Sequence, residues 1–183
     1  MVAWRRPHGF SLPELLVSLA VLGLVLAGTF GLLRGGMGAY ATGAARVEAQ
    51  QAARVALERM VKELREAGYD PTGAGIAPIV TAAPDRVTFQ RDLNKNGVVD
   101  ATSERVTFLL RAGENVLRRD AGAGAQPIVQ GVRRLTLTYF DRAGALTADP
   151  ARVASIRISL EVGLAGPRSA METQVSLRNY RDP

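Results

Sequence analysis

Few side chains in this sequence could do chemistry. The chain has no cysteine and one histidine, His8, so it offers no thiolate nucleophile, no disulfide and no multi-histidine metal centre. Ser11 and Ser18 lie in a helical pattern without a base nearby, and no other nucleophile–base pair is evident. The sequence therefore predicts that the protein is not an enzyme and has no certain cofactor.

One segment does carry a regular series of oxygen donors. The donors are Asp92, Asn94, Asn96, the backbone carbonyl of Val98, and Asp100. Alternating oxygen ligands with a glycine at the tight turn, here Gly97, are the pattern of a calcium-binding loop. The twelfth position departs from it, because Ser103 stands where a bidentate glutamate is expected and Glu104 follows one residue later. Two interpretations stay open: a Ca²⁺ site, or a polar hairpin turn around Asn96-Gly97.

A long apolar segment lies near the N-terminus. Residues 15–33 contain no charge, and about 20 apolar residues in a helix span a bilayer. The preceding leader carries Arg5 and Arg6, which favours a cytoplasmic N-terminus with the rest of the chain outside. A secretory signal peptide or an ordinary anchor would not explain Glu14, because an unpaired carboxylate is costly in lipid.

The residues around Glu14 resemble the type IV prepilin signal. Gly9, Phe10 and Glu14 stand in its spacing, between a short basic leader and the apolar run. The resemblance implies that a prepilin peptidase cleaves between Gly9 and Phe10 and that the new N-terminal amine is methylated. It also implies that Glu14 meets the N-terminal amine of a neighbouring subunit, which would offset the desolvation of both charges.

The pattern of the remaining chain predicts an α+β, pilin-like fold. Apolar residues at helical spacing form one face: Ala53, Leu57, Met60, Val61, Leu64 and Ala67. Period-two alternation then predicts strands at 86–90, 105–110, 116–118, 132–140, 156–162 and 171–177. We expect a leader (1–9), an apolar helix (10–39) and a head (40–183). The head comprises an amphipathic helix (40–67), a linker (68–84) and an antiparallel sheet (85–183) against which that helix packs. The helix is either continuous over 10–67 or broken near Gly35-Gly36.

Two further segments resemble a particular kind of pilin. The sequence AGYDP at 67–71 and the closing Arg178-Asn179 pair are similar to W-type minor pilins. The second resemblance is to the J-type minor pseudopilins of type II secretion systems, which share the fold.

These resemblances imply a minor pilin that takes part in pilus assembly, priming or the tip. The implied partners are the prepilin peptidase, other major and minor pilins, the inner-membrane assembly machinery and membrane lipid. The implied location is the inner membrane, with a single pass, and then a filament. A secretion pseudopilin and a DNA-uptake pilin are the alternatives. The net charge of +6 comes mainly from scattered arginines, so a nucleic-acid partner is not expected.

Overall fold

The computed structural model describes residues 9–163 and 168–180, and the chain divides into two compact units, Met1–Gly43 and Ala44–Pro183. One helix and eight strands make up the described chain: α1 (Leu12–Leu64), β1 (Ile79–Ala83), β2 (Arg86–Gln90), β3 (Arg105–Leu110), β4 (Val116–Asp120), β5 (Gln126–Gln130), β6 (Val132–Phe140), β7 (Ser155–Val162) and β8 (Ser169–Ser176). A 3₁₀ turn, Pro150–Arg152, lies between β6 and β7. The leader predicted at 1–9 lies outside the described residues except for Gly9.

Helix α1 is continuous over 53 residues. It passes through Gly35-Gly36 without a break, although each glycine weakens a helix by about 1 kcal/mol relative to alanine. The predicted helix end at residue 67 is three residues too late. Residues 65–68 form turns instead, and the last of them, Gly68, has a φ of 72°. That left-handed conformation is open to glycine and ends the helix.

The strands form two antiparallel sheets rather than the single sheet that was predicted. The five-stranded sheet has the order β1-β2-β3-β4-β5, and the three-stranded sheet has the order β6-β7-β8. All six predicted strands are present. Strand β1 was missed and lies in the predicted linker. Strand β5 was also missed, because Pro127 cannot donate a ladder hydrogen bond and is tolerated only on an edge strand such as this one.

The core of the second unit lies between α1 and the sheets. The predicted helix face is confirmed: Ala53, Met60 and Leu64 are fully buried, and Val61 is partly buried. From β2 and β3, Phe89 and Phe108 stack with ring centroids 6.1 Å apart. Both sheets contribute buried side chains to this core, so the end of α1 and the sheets form one hydrophobic cluster.

An ion-pair network also joins α1 to the five-stranded sheet. The Arg119 Nε atom lies 2.9 Å from both carboxylate oxygens of Glu63. Arg91, which is 8% exposed, pairs with Glu66 and lies 3.8 Å from Glu63. The Arg91 guanidinium also lies over the Phe89 ring. The charges of the last helical turns are therefore neutralised by arginines from the strand side.

Candidate processing and assembly site

The predicted cleavage site lies immediately before α1. Gly9 and Phe10 are exposed and lie outside any helix or strand, and among the described residues nothing lies within 4 Å of the position that a Cβ at Gly9 would take. The Phe10 side chain is 78% exposed. Within the part of the chain that the structure describes, no packing shields the peptide bond between these two residues from a protease.

Glu14 has a structural role that the sequence analysis missed. Ser11 precedes the first helical residue and Glu14 stands three positions later, which is the Ser-x-x-Glu spacing of a capping box. The Glu14 carboxylate accepts a long hydrogen bond, 3.5 Å, from the Ser11 backbone N–H. The N-terminal end of a helix also favours negative charge. Glu14 therefore lies where the N-terminal end of the helix stabilises an anion.

The apolar part of α1 presents its side chains outward on every side. The described helix is long and apolar enough to cross a membrane, and the side chains of its first turns are all exposed. Its two hydroxyls are satisfied internally: Ser18 donates to the Glu14 carbonyl at 2.9 Å, and Thr29 donates to the Val25 carbonyl at 2.8 Å. A helix with this surface suits a hydrocarbon environment.

The predicted calcium loop connects β2 to β3, and two buried carboxylates organise it. Asp92 is fully buried and accepts hydrogen bonds from the backbone N–H groups of Lys95, Asn96 and Gly97 at 2.6–3.2 Å. Glu104 is 1% exposed and accepts from Leu93, Asn94 and Asp100 at 2.7–3.0 Å. The loop connects two antiparallel paired strands, as the hairpin interpretation requires, and its backbone is held by these two carboxylates.

The electrostatics of the loop rest on these hydrogen bonds. The pKa of Glu104 is lowered, chiefly because its carboxylate accepts hydrogen bonds from the N–H groups of Asp100 and Asn94. Burial and the nearby Asp92 carboxylate act in the opposite direction, but their effect is smaller. Glu104 thus reaches the loop, as a closing ligand would, but its oxygens point at backbone amides. In the described part of the chain, no three carboxylate or imidazole groups come together to hold a metal ion. The donors fit Ca²⁺ in chemical type, since all are oxygens, but the set lacks a free bidentate carboxylate.

The two segments that resemble W-type minor pilins meet in the structure. The Asn179 Nδ2 atom donates to the Ala67 carbonyl at 3.1 Å, 112 residues earlier in the chain. The Gly68 N–H donates to the Gln90 carbonyl, and the Asp92 N–H donates to the Tyr69 carbonyl. The AGYDP segment therefore joins the end of α1, the end of β2 and the C-terminal segment.

Asp70 shapes the turn that follows. Its carboxylate accepts from the N–H groups of Ala74, Gly75 and Ile76 and from the Thr72 hydroxyl. Burial alone would raise the pKa of Asp70, but these hydrogen bonds outweigh it and lower the pKa to about 2. Sequence reasoning used Asp70 as part of a resemblance and did not identify this role. The run of Pro, Thr and Gly after it was the available signal.

Comparison with known proteins supports the N-terminal assignment. The family model described as the prokaryotic N-terminal methylation motif matches residues 4–30. This range contains the Gly9-Phe10 bond, Glu14 and most of the apolar segment. The N-terminal segment of the chain is thus type IV prepilin-like, and its motif and apolar helix are consistent with a membrane-anchored, single-pass protein.

A curated protein also shows a distant similarity over most of the chain. It is the gamma-glutamyl phosphate reductase of Rhizorhabdus wittichii, which is 24% identical over 188 aligned residues. The alignment includes 98% of this chain, but the chain spans about two fifths of the length of that relative. An identity this low does not establish a common family.

Proposed function

We propose that the protein is a minor type IV pilin that is cleaved after Gly9, methylated at Phe10 and built into a pilus. The observation that carries this proposal is the methylation motif at residues 4–30, together with the exposed apolar side chains of the first part of α1. Such a helix needs lipid before assembly and neighbouring helices after it. The peptidase, other pilins and the inner-membrane assembly machinery are the proposed partners.

The proposed mechanism is assembly rather than catalysis. Phe10 supplies the methylated amine and Glu14 supplies the charge that meets the amine of a neighbouring subunit in an apolar bundle. His8, which carries the one imidazole of the sequence, would leave with the leader, as would Trp4. The head would remain outside the membrane, where it can contact other minor pilins at the tip of the filament.

The W-type minor pilin is the preferred assignment within this class. This preference rests on the resemblance of the AGYDP segment and the Arg178-Asn179 pair, two segments that the Asn179–Ala67 hydrogen bond joins in this chain. A J-type minor pseudopilin of a type II secretion system is the alternative. Deleting the gene distinguishes the two: loss of surface pili with normal protein secretion supports a pilin, and the reverse result supports a pseudopilin.

We also propose calcium as a candidate ligand of the loop between β2 and β3. Asp92 and Glu104 are two buried carboxylates, and no arginine or lysine pairs with either of them in the described residues. The Asp92 Oδ2 and Glu104 Oε2 atoms each accept one N–H, and because a carboxylate oxygen has two lone pairs, each of these two oxygens can still bind a cation.

The processing site can be tested with two glycine variants co-expressed with a prepilin peptidase. Gly9→Val is expected to keep the leader attached, because the peptidase requires a small residue before the cleaved bond. Gly23→Val is the matched control, since both positions are open, with nothing within 4 Å of an added Cβ. Normal cleavage of Gly9→Val would refute the site.

The role of Glu14 can be separated from its role in the helix cap. Glutamine is accepted in place of glutamate three residues after the serine of a capping box, so Glu14→Gln retains the cap and removes the charge. We expect the Glu14→Gln subunit to be cleaved normally and to be absent from purified filaments. Incorporation at the wild-type level would show that the charge is not needed for assembly.

A further inference from the structure

Two charged residues divide the first part of α1 in a way that the proposed function does not explain. Between residues 12 and 45, the charges are Glu14 and Arg34. They are twenty residues apart in a continuous helix, which places them about 30 Å apart along its axis. This separation matches the hydrocarbon thickness of a bilayer, about 30 Å.

The uncharged sequence does not stop at Arg34. Residues 35–45 carry no charge either, and the side chains of Met37 and Tyr40 are 67% and 79% exposed. The helix from 15 to 45 would extend about 45 Å, which is longer than the hydrocarbon layer. Hydropathy therefore allows several membrane positions, and the lone arginine is the feature that distinguishes them.

We propose that the membrane-spanning segment is residues 15–33 and that the Arg34 guanidinium binds lipid headgroup phosphate in the leaflet farther from Phe10. Residues 35–43 then lie among headgroups and water, although they are uncharged. This inference rests on the proposed function, because it requires the unassembled subunit to be inserted in a bilayer. A position further along the helix would draw Arg34 into hydrocarbon, which is unfavourable for a charge.

The geometry of Arg34 suits this ligand. Its side chain is exposed, and it makes no hydrogen bond or ion pair within the described residues. A guanidinium presents a planar fork of N–H donors that matches phosphate oxygens in pairs. Inside the proposed span, the hydroxyls of Ser18 and Thr29 already donate to backbone carbonyls. The span thus leaves no side-chain polar group unsatisfied in lipid.

The segment after Arg34 also suits a position outside hydrocarbon. Of residues 35–43, four are glycines, at 35, 36, 38 and 43, which add no apolar side chain for lipid to cover. The Thr42 hydroxyl donates to the Gly38 carbonyl at 3.0 Å. Burying this segment therefore gains less than burying an equal length of residues 15–33, and it would also carry the Arg34 charge into hydrocarbon.

The absence of cysteine from the chain allows a clean test. Single cysteines would be placed by Leu24→Cys, Phe30→Cys, Gly36→Cys and Tyr40→Cys in the full-length protein and labelled with a polarity-sensitive fluorophore. The proteins would be reconstituted in vesicles of phosphatidylcholine and phosphatidylglycerol. We expect hydrocarbon-like emission at 24 and 30 and water-like emission at 36 and 40. Adding Arg34→Leu should move the end of the membrane-embedded segment by about one helical turn toward residue 37, so that the label at position 36 gives hydrocarbon-like emission. Adding Arg34→Lys should leave the emission at position 36 water-like.

The outcomes separate this inference from the proposed function. Hydrocarbon-like emission at 36 in the wild-type background, or a boundary that Arg34→Leu leaves in place, would overturn the role of Arg34. Water-like emission at 24 and 30 would show that the helix is not inserted and would contradict the membrane-anchored pilin itself. Quenching of the label at 30 by spin-labelled lipid, which we expect, excludes burial of that face against a second copy.

Discussion

At Gly68, the turn after α1 packs closely against Pro78 and the C-terminal segment. A Cβ at this position would lie 2.7 Å from the Pro78 Cγ atom and 3.0 Å from the Asn179 carbonyl oxygen. Its φ of 72° is also a conformation that residues with a side chain rarely adopt. The residue therefore serves both as the stop signal of α1 and as the space into which the C-terminal segment fits.

Substituting Gly68 should reveal both effects. Gly68→Ala is expected to lower the free energy of unfolding by about 2–4 kcal/mol, from the left-handed backbone together with the steric overlap. Gly73→Ala is the matched control, because Gly73 has a similar φ of 75° but nothing within 4 Å. It should cost about 1 kcal/mol. Thermal unfolding of the full chain in detergent measures both, and equal losses would show that the close packing at Gly68 has no energetic effect.

Asp70 makes the stability of the head dependent on pH. Its pKa is about 2 in the folded chain, below the ordinary value of 3.8, so the folded state favours the ionised carboxylate. The resulting stabilisation is complete above the unfolded pKa and is lost as the pH falls from about 4 toward 2. The difference in melting temperature between wild type and Asp70→Asn should be largest near neutral pH and should shrink across that range. A difference that stays constant down to about pH 2 would contradict the role of the carboxylate.

At the scale of elements, the end of α1 is attached to the sheet by charge as well as by apolar packing. Arg91 is 8% exposed and contacts Glu66 and Glu63, whereas the Arg54–Glu58 pair of the same helix is exposed to solvent. Burial decides how much each pair contributes, because solvent screens an exposed pair and a buried charge that loses its partner is costly.

Removing one arginine from each pair tests this difference. Arg91→Ala should lower the free energy of unfolding by about 2–4 kcal/mol, less than for a fully buried pair because Glu66 is 43% exposed. Arg54→Ala should cost no more than about 0.5 kcal/mol. Denaturant unfolding in detergent gives both values. Similar small losses would mean that apolar packing alone holds α1 to the sheet.

The loop between β2 and β3 can be tested for calcium directly. If the loop binds Ca²⁺, saturating calcium should raise the melting temperature of the full chain by several degrees, since a ligand at 100 times its Kd adds about 2.7 kcal/mol. The double variant Asn94→Ala and Asn96→Ala removes two exposed donors while leaving Asp92 and Glu104 in place, so it should fold and lose the response. A wild-type melting temperature that neither calcium nor a chelator changes would end the calcium hypothesis.

A strand could be predicted from the sequence when its apolar and polar residues alternate clearly. Strands β6 and β7 have one buried face and one exposed face, and their sequence shows it. Strand β1 was missed because Val80 and the alanines after it give no such contrast, and β5 was missed because Pro127 reads as a breaker. The extra turn predicted for α1 followed from the buried Ala67, which keeps the helical spacing although the helix has ended.

Some residues of the candidate site could also be identified from the sequence, and others could not. Gly9, Phe10 and Glu14 form a local motif, so their spacing identified them without any fold. The role of Glu104 in ordering the loop and the contact of Asn179 with Ala67 depend on chain segments that only the fold brings together. Such contacts leave little trace in the spacing of a single sequence.

At the scale of the whole molecule, the two compact units have opposite surface chemistry. In the unit Met1–Gly43, the described apolar side chains are exposed, whereas the unit Ala44–Pro183 has a buried core with arginines on its surface. A chain with such an exposed helix is not stable in water by itself. The proposed function resolves this by giving the helix lipid first and other pilin helices afterwards.

The central claim is that the first nine residues are removed to create a methylated phenylalanine terminus. Mass spectrometry of the intact protein from membranes of its own host, with sequencing of the N-terminal peptide, tests it most directly. We predict a chain that begins at Phe10 and carries one added methyl group on its amine. A native protein that retains residues 1–9, or one cleaved after the apolar segment, would contradict the account.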